Sequence, residues 1–166
     1  MPNNLVLFSS AREQGNTRRL LNAIEKQTPL DVVYLNALNL LPYDYDYKNT
    51  NDDFQRVLDR MLRCDNLIFA SPIYWYSPTS QMKTLLDRFT DFLDIPSLKE
   101  KGKLLRNKTA YLVTTSSQIS IDATFVSIFE RTFDYLGIKY GGALHCQQSF
   151  IEHETLNIEM FARQIS

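Results

Sequence analysis

Five short apolar runs, separated by longer segments with helical patterns, constrain the fold of this 166-residue chain more than any other feature. The central runs are continuous rather than alternating, which is typical of parallel strands buried on both faces. Strands that alternate with helices require right-handed crossovers. We therefore predict an α/β fold in one domain over residues 1–166, a doubly wound five-stranded parallel sheet of order 2-1-3-4-5 with helices on both faces. The runs are Leu5–Phe8, Val32–Leu35, Leu67–Ala70, Ala110–Val113 and Ile138–Leu144.

Three segments between the strands place apolar residues at helical spacing. The stripes begin at Phe54, Met82 and Phe125 and end at Leu62, Leu93 and Leu136 respectively. Each stripe predicts a helix that buries one face against the sheet. Asp122 before the last stripe and Gly137 after it suit the two ends of a helix.

Composition and charge exclude several classes of function. The formal net charge is −1, so no basic field indicates nucleic acid as a partner. No apolar run approaches the length of a membrane helix, and we expect no signal peptide and no membrane partner. Two cysteines, Cys64 and Cys146, fit reduced thiols better than a disulfide framework, which predicts a cytoplasmic location.

The loop after the first strand combines hydroxyl groups, a glycine and a cation. In a doubly wound sheet, ligands bind outside the carboxyl ends of the strands where the strand order reverses, here between the first and third strands. Backbone N–H groups at a helix N-terminus bind anions, and an arginine suits a phosphate. An ordinary capped turn with a solvated arginine explains the loop about as well. The candidate phosphate ligands are Ser10, Arg12, Gly15, Asn16 and Thr17.

The loop after the third strand carries three consecutive aromatic residues. A planar ligand stacked on them and bounded by backbone amides would explain aromatics in a loop that faces solvent. A subunit interface is the alternative, since interfaces are also rich in aromatics. The candidate ligand-binding residues are Pro72, Ile73, Tyr74, Trp75 and Tyr76.

The loop after the fourth strand places hydroxyl groups at Thr115 and Ser116. They could serve the polar edge of a ring, although a capped turn alone would explain them more simply. The three loops together predict a site with a phosphate at one end, a flat aromatic body in the middle and a polar ring edge at the other. This is the shape of FMN.

These loops resemble those of the flavodoxin-like NAD(P)H-dependent FMN reductases and NAD(P)H quinone oxidoreductases. Ser10–Thr17 is similar to the family's phosphate loop, which carries an arginine and ends in Gly-Asn-Thr. Phe69–Ser77 is similar to its isoalloxazine loop, and Gln81–Arg88 to its third helix. The resemblance extends from about Leu5 to Ser117.

This resemblance implies an enzyme that passes hydride from NAD(P)H through FMN to a small acceptor. Quinones, nitro or azo aromatics, free flavin and ferric complexes all fit. Arg18 and Arg19 slightly favour NADPH over NADH, although a solvated helix face explains them better. A flavodoxin-type electron carrier without its own NAD(P)H activity and a non-enzymatic, partner-binding sheet domain remain alternatives. Carriers of the first kind are strongly acidic, whereas this chain is nearly neutral.

The resemblance also implies a homodimer that covers part of the flavin site. Phe89, Phe92 and Leu93 place more apolar surface near the third helix than one buried face needs, which supports an interface there.

The chain departs from the family pattern at several positions. Ser9 stands where the family usually has glycine, and Ala11 where it often has proline. Some members hold an iron–sulfur cluster through cysteines in the segment matching Pro42–Tyr47. This segment has no cysteine here, which excludes the cluster. Its tyrosines fit a packed loop better than a wall of the site.

Overall fold

The computed structural model describes residues 3–49 and 51–166. Its five strands form one parallel sheet of order β2-β1-β3-β4-β5, as predicted. The register pairs Leu7 of β1 with Val33 of β2 and with Phe69 of β3. The strand order therefore reverses at β1, and the loops after β1 and β3 diverge at the same edge of the sheet. The strands are β1 (Asn4–Phe8), β2 (Asp31–Tyr34), β3 (Asn66–Ala70), β4 (Thr109–Ser116) and β5 (Lys139–Gln147).

In the described part of the chain, seven α-helices pack on the two faces of this sheet. Phe54, Phe125 and Phe129, whose spacing predicted helices, are buried in the core. Gly137 ends α6 in the left-handed conformation, with φ of 73°, which a glycine adopts without a steric penalty. The helices are α1 (Asn16–Glu25), α2 (Phe54–Arg63), α3 (Ser80–Arg88), α4 (Asp91–Asp94), α5 (Pro96–Lys103), α6 (Ala123–Leu136) and α7 (Thr155–Gln164).

Alternate residues of the strands face two separate cores. Leu5 and Leu7 of β1 pack with residues of α2 to α6 on one face. Val6 and Phe8 pack with residues of α1 and α7 on the other. Because both faces are covered, the strands are apolar on both sides and their sequences are continuous apolar runs.

The segment after β3 differs from the prediction of one long helix. α3 ends at Arg88, and the separate four-residue helix α4 follows. Arg88 is 2% exposed and donates to the carboxylates of Asp52 and Asp91. It also donates to the carbonyl oxygen of Leu41. These bonds tie the loop before α2 to the end of α3.

The prediction of an interface rested on Phe89, Phe92 and Leu93, and the structure corrects the assignment of two of them. Phe89 and Phe92 are each 3% exposed and pack within the chain, whereas Leu93 is 38% exposed. The rings of Phe89 and Phe92 are stacked with centroids 5.3 Å apart. Two of the three residues that indicated an external surface therefore belong to the core.

Among the described residues, no helix is both long and apolar enough to cross a lipid bilayer.

Candidate active site

Side-chain hydrogen bonds, buried or partly buried, support the loop between β1 and α1. Asn36 Oδ1 accepts hydrogen bonds from Ser9 Oγ at 2.9 Å and from the Ser10 backbone N–H at 3.2 Å. Ser9 Oγ also lies 2.5 Å from Thr79 Oγ1, the hydroxyl at the start of α3. Ser9, which replaces the family's glycine, is fully buried and contributes to the support of the loop.

The N-terminus of α1 presents backbone donors to solvent at the end of this loop. Gly15 is its N-cap and has no side chain that could accept a hydrogen bond from the first turn. A Cβ atom at Gly15 would lie 3.0 Å from the carbonyl oxygen of Arg12, so the glycine permits the tight approach of these two residues. The first-turn N–H groups and the positive end of the helix dipole are therefore available to an anion.

The loop after β3 forms a tight hairpin turn. Tyr74 and Ser77 exchange backbone hydrogen bonds of 2.9 and 3.1 Å. The two residues between them, Trp75 and Tyr76, have φ of 48° and 65°. This pair of positive φ values is typical of a type I′ turn, where Asn-Gly is preferred because β-carbons destabilise the conformation. Trp75 is 90% exposed and Tyr76 62% exposed, so two strained aromatic residues project into solvent.

The end of β4 joins the first loop through hydroxyl groups. Thr17 Oγ1 lies 2.8 Å from Thr115 Oγ1 in a buried contact. Ser116 Oγ lies 2.8 Å from Nε2 of His145 on β5 and accepts from the backbone N–H of Gln118 at 3.1 Å. Burial lowers the pKa of His145 and the charge of Glu154 raises it, burial being the larger effect. The imidazole therefore favours its neutral form at this contact.

All three loops line one cleft of about 450 Å³ at the carboxyl edge of the sheet. Arg12 is the one charged residue among the described residues that line it. The structure brings together ten of the twelve residues predicted for the site. The ten are Ser10, Arg12, Gly15, Asn16, Thr17, Pro72, Ile73, Tyr74, Thr115 and Ser116.

The other two predicted residues, Trp75 and Tyr76, line an adjoining second cavity of about 600 Å³. Ile73, Ser116 and Ser117 line both spaces, so the cleft and the second cavity are neighbours. The far wall of the second cavity consists of Gln118, Ser120, Ile121, Asp122 and Ala123, where α6 begins.

Three residues that line the cleft were not predicted. Ala11 and Ser117 lie within the first and third loops, and Gln148 follows β5. Gln148 Oε1 accepts a hydrogen bond of 3.3 Å from the side-chain amide of Asn16. The signal that could have identified Gln148 is the position of its loop at the carboxyl edge, which the fifth strand shares with the others.

Arg18 and Arg19, which favoured NADPH, line neither space. Arg18 pairs with Glu25 at 3.7 Å and Arg19 with Glu152 at 2.8 Å. Both act as charges on the outer face of α1.

The tyrosines of the segment 42–47 also lie outside the two spaces. The ring centroids of Tyr43 and Tyr45 are 5.0 Å apart, and Tyr47 donates to the carboxylate of Asp94. This hydrogen bond raises the pKa of Tyr47 because it stabilises the neutral phenol. These contacts are those of a loop packed on itself and on α4.

Comparison with known proteins identifies similar sequences and structures. Residues 2–129 match the family described as NADPH-dependent FMN reductase. A putative NAD(P)H-dependent FMN-containing oxidoreductase of Bacillus subtilis, YwqN, is 24% identical over 145 residues, which cover 82% of this chain and 80% of that protein.

Solved structures show the same fold at lower identity. The Trp repressor binding protein from Bacillus subtilis superposes with a TM-score of 0.76 at 20% identity and covers 98% of both chains. The general stress protein 14 of Treponema denticola, solved in complex with FMN, superposes with a TM-score of 0.68 at 15% identity. That match covers 98% of this chain and 99% of the other.

Proposed function

The chain belongs to the NADPH-dependent FMN reductase family, and from this we propose that it passes hydride from NAD(P)H through FMN to a small acceptor. The family is one of FMN-dependent oxidoreductases, so FMN is the cofactor and the protein is an enzyme. Quinones, nitro or azo aromatics, free flavin and ferric complexes are the acceptor classes compatible with this chemistry. The observation that supports the proposal most strongly is the convergence of three loops of distinct chemistry on one cleft.

The donors of the cleft fit the groups of FMN. Arg12 and the uncapped N-terminus of α1 suit a phosphate. The hydroxyls of Ser10, Thr115 and Ser116 suit a polar chain and the polar edge of a ring. We therefore propose that the phosphate lies at α1 and that the ring extends towards the hairpin at Tyr74.

Bound FMN supplies the hydride chemistry, and the side chains of the cleft supply position and electrostatics. Ser116 Oγ accepts from the Gln118 N–H and contacts Nε2 of His145. In the tautomer in which Nε2–H donates to Ser116, the hydroxyl proton of Ser116 is available to stabilise negative charge at the ring edge. The hairpin of Trp75 and Tyr76 bounds the space in which a second ring can stack. Neither role requires a catalytic acid or base.

Titration of the purified protein with FMN tests the cofactor site. We expect binding at submillimolar affinity or better, measured as a change in flavin fluorescence. No binding at millimolar FMN would contradict the proposed site.

Steady-state kinetics test how the two substrates use the site. One ring space beside the hairpin should receive the nicotinamide ring of NAD(P)H and the acceptor in turn, which gives parallel double-reciprocal lines. Intersecting lines would indicate a ternary complex and contradict the shared site.

We further propose a homodimer that uses an exposed face beside α4 and α6. Leu93 is 38% and Tyr135 72% exposed, and they line one surface groove together with Leu86 and Leu136. Two copies that cover this groove would remove its apolar side chains from water.

A cytoplasmic location is also proposed, supported by the burial of Cys64 and Cys146 and testable by cell fractionation.

A further inference from the structure

The second cavity, beside the cleft proposed for FMN, has a lining that suits an aromatic molecule. Trp75 and Tyr76 form one wall, and Ile121 and the beginning of α6 form another. Because Ile73 and Ser116 border both spaces, a ring in the second cavity would lie beside a ligand in the cleft. The site is therefore suited to the acceptor of the proposed reaction, and the inference below rests on that proposed function.

The aromatic wall is kept in place at an energetic cost. A left-handed conformation is sterically unfavourable for a residue with a β-carbon, and both Trp75 and Tyr76 adopt it. Their side chains recover little of this cost within the chain because they are 90% and 62% exposed. Strain of this kind at exposed aromatic residues indicates a surface shaped for an aromatic ligand.

The electrostatics of the second cavity oppose an anion. Asp122 is the one charged residue among the described residues that line it. Its carboxylate accepts hydrogen bonds from the backbone N–H groups of Thr124 at 2.8 Å and Phe125 at 3.0 Å. The donors with which a helix N-terminus would bind an anion are thus already occupied by a negative side chain.

The two helix ends at the site therefore differ in charge preference. The first turn of α1 has no side-chain cap and lies beside Arg12 in the cleft. The first turn of α6 is capped by a carboxylate in the second cavity. An anion is favoured at the first position and disfavoured at the second.

We propose that the second cavity selects flat aromatic acceptors without an anionic substituent, and that Asp122 is the residue that sets this preference. Among the acceptors that the chemistry permits, neutral quinones and neutral nitro aromatics are then substrates in preference to sulfonated or carboxylated rings.

The test uses 2-methyl-1,4-naphthoquinone and its 3-sulfonate as a pair of acceptors. For each protein, kcat/KM is measured with both quinones, and the ratio of the two values is compared between wild type and Asp122→Asn. Asparagine is as good an N-cap as aspartate, so the variant removes the charge and retains the helix end. We expect the sulfonate-to-neutral ratio to rise by about three- to tenfold, the size of one unit charge interaction near a surface.

Asp134→Asn is the matched control. Asp134 is exposed on the same helix, twelve residues and therefore about 18 Å away along the axis. It removes the same charge and should leave the ratio unchanged. Added salt should raise the sulfonate activity of the wild type more than that of Asp122→Asn, because salt screens exposed charges.

A binding measurement provides a readout that does not depend on turnover. Trp75 is the single tryptophan of the chain, so its fluorescence in the FMN-loaded protein, without NAD(P)H, reports occupation of the second cavity. The ratio of the two quinone dissociation constants should change with Asp122→Asn in the same direction as kcat/KM. An unchanged ratio, or an equal change with Asp134→Asn, would overturn this inference. Absence of NAD(P)H turnover with the neutral quinone would instead contradict the proposed function.

Discussion

Arg12 is the residue on which anion binding in the cleft most depends, because it adds a full charge to the partial charge of the α1 N-terminus. Its backbone N–H donates to Ser10 Oγ at 3.2 Å, which fixes the turn beneath its exposed side chain. Arg12→Ala should weaken FMN binding by about 1–3 kcal/mol through loss of a charge-assisted contact. Fluorescence titration measures the change.

Arg18→Ala is the control for this substitution, since Arg18 lies on α1, the helix that follows the loop of Arg12, and pairs with Glu25 instead. It should leave FMN affinity unchanged. If Arg12→Ala also binds FMN with wild-type affinity, the phosphate does not lie at this loop.

The environment of His145 predicts how the free energy of unfolding depends on pH. Burial, opposed by the smaller effect of Glu154, lowers its pKa in the folded protein, so the unfolded chain binds the proton more readily. The contribution of His145 to the free energy of unfolding is therefore complete above about pH 6.5, the ordinary histidine pKa. It declines as the pH falls from there through the lower pKa of the folded state.

Denaturant unfolding between pH 5 and 8 measures this effect. His145→Gln should flatten the decline below about pH 6.5, whereas His153→Gln, at an exposed position, serves as the control for loss of a histidine. An identical decline in the wild type and in His145→Gln would show that the buried imidazole does not govern it.

At the scale of elements, the strained hairpin should be easy to stabilise. Replacing Trp75 and Tyr76 together by Asn and Gly places the preferred residues in the type I′ turn. Relief of the backbone strain raises the free energy of unfolding, whereas the greater entropy of glycine in the unfolded chain lowers it. We expect a net increase of about 1 kcal/mol. The same variant should lose turnover with quinones because the aromatic wall is gone.

Tyr45→Gly is the comparison for this double substitution. Tyr45 is 85% exposed, and it is absent from the described non-glycine residues with positive φ. No gain in stability is expected there. A hairpin variant that is no more stable than the wild type would contradict the strain argument.

The strands were predictable because burial on both faces leaves continuous apolar runs, as in Leu67–Ala70. α7 was not predicted because Leu156 and Met160, 68% and 61% exposed, obscure the stripe formed by Ile158 and Phe161. The division between α3 and α4 depends on the buried ion pairs of Arg88. Asp52 is distant from Arg88 in the sequence, and the sequence does not distinguish Asp91 from an ordinary surface charge.

The candidate site was predictable to the extent that topology dictates it. Loops after parallel strands meet at one edge, so residues such as Ser10 and Thr115 were assigned to one cleft from their positions in the chain. The positive φ values of Trp75 and Tyr76 contradict local preference and could not be inferred. Their placement in a second cavity follows from that conformation.

At the scale of the whole molecule, the exposed face at Leu93 and Tyr135 predicts association. Light scattering at micromolar concentration should give twice the chain mass of 19.3 kDa. Leu93→Arg should shift the protein towards monomer because it places a charge in an apolar contact. Leu156→Arg, on the exposed side of α7, is the control and should remain dimeric. A monomeric wild type would contradict the proposed assembly.

Anaerobic half-reactions test the central claim, transfer from NAD(P)H through FMN to an acceptor, most directly. The FMN-loaded protein is mixed with one equivalent of NADPH or NADH without oxygen, and flavin absorbance is followed. We expect the absorbance to be lost with one of the two donors and, after removal of the oxidised nucleotide, to be restored by one equivalent of 2-methyl-1,4-naphthoquinone. Flavin absorbance that neither donor changes, in protein that has bound FMN, would contradict the account.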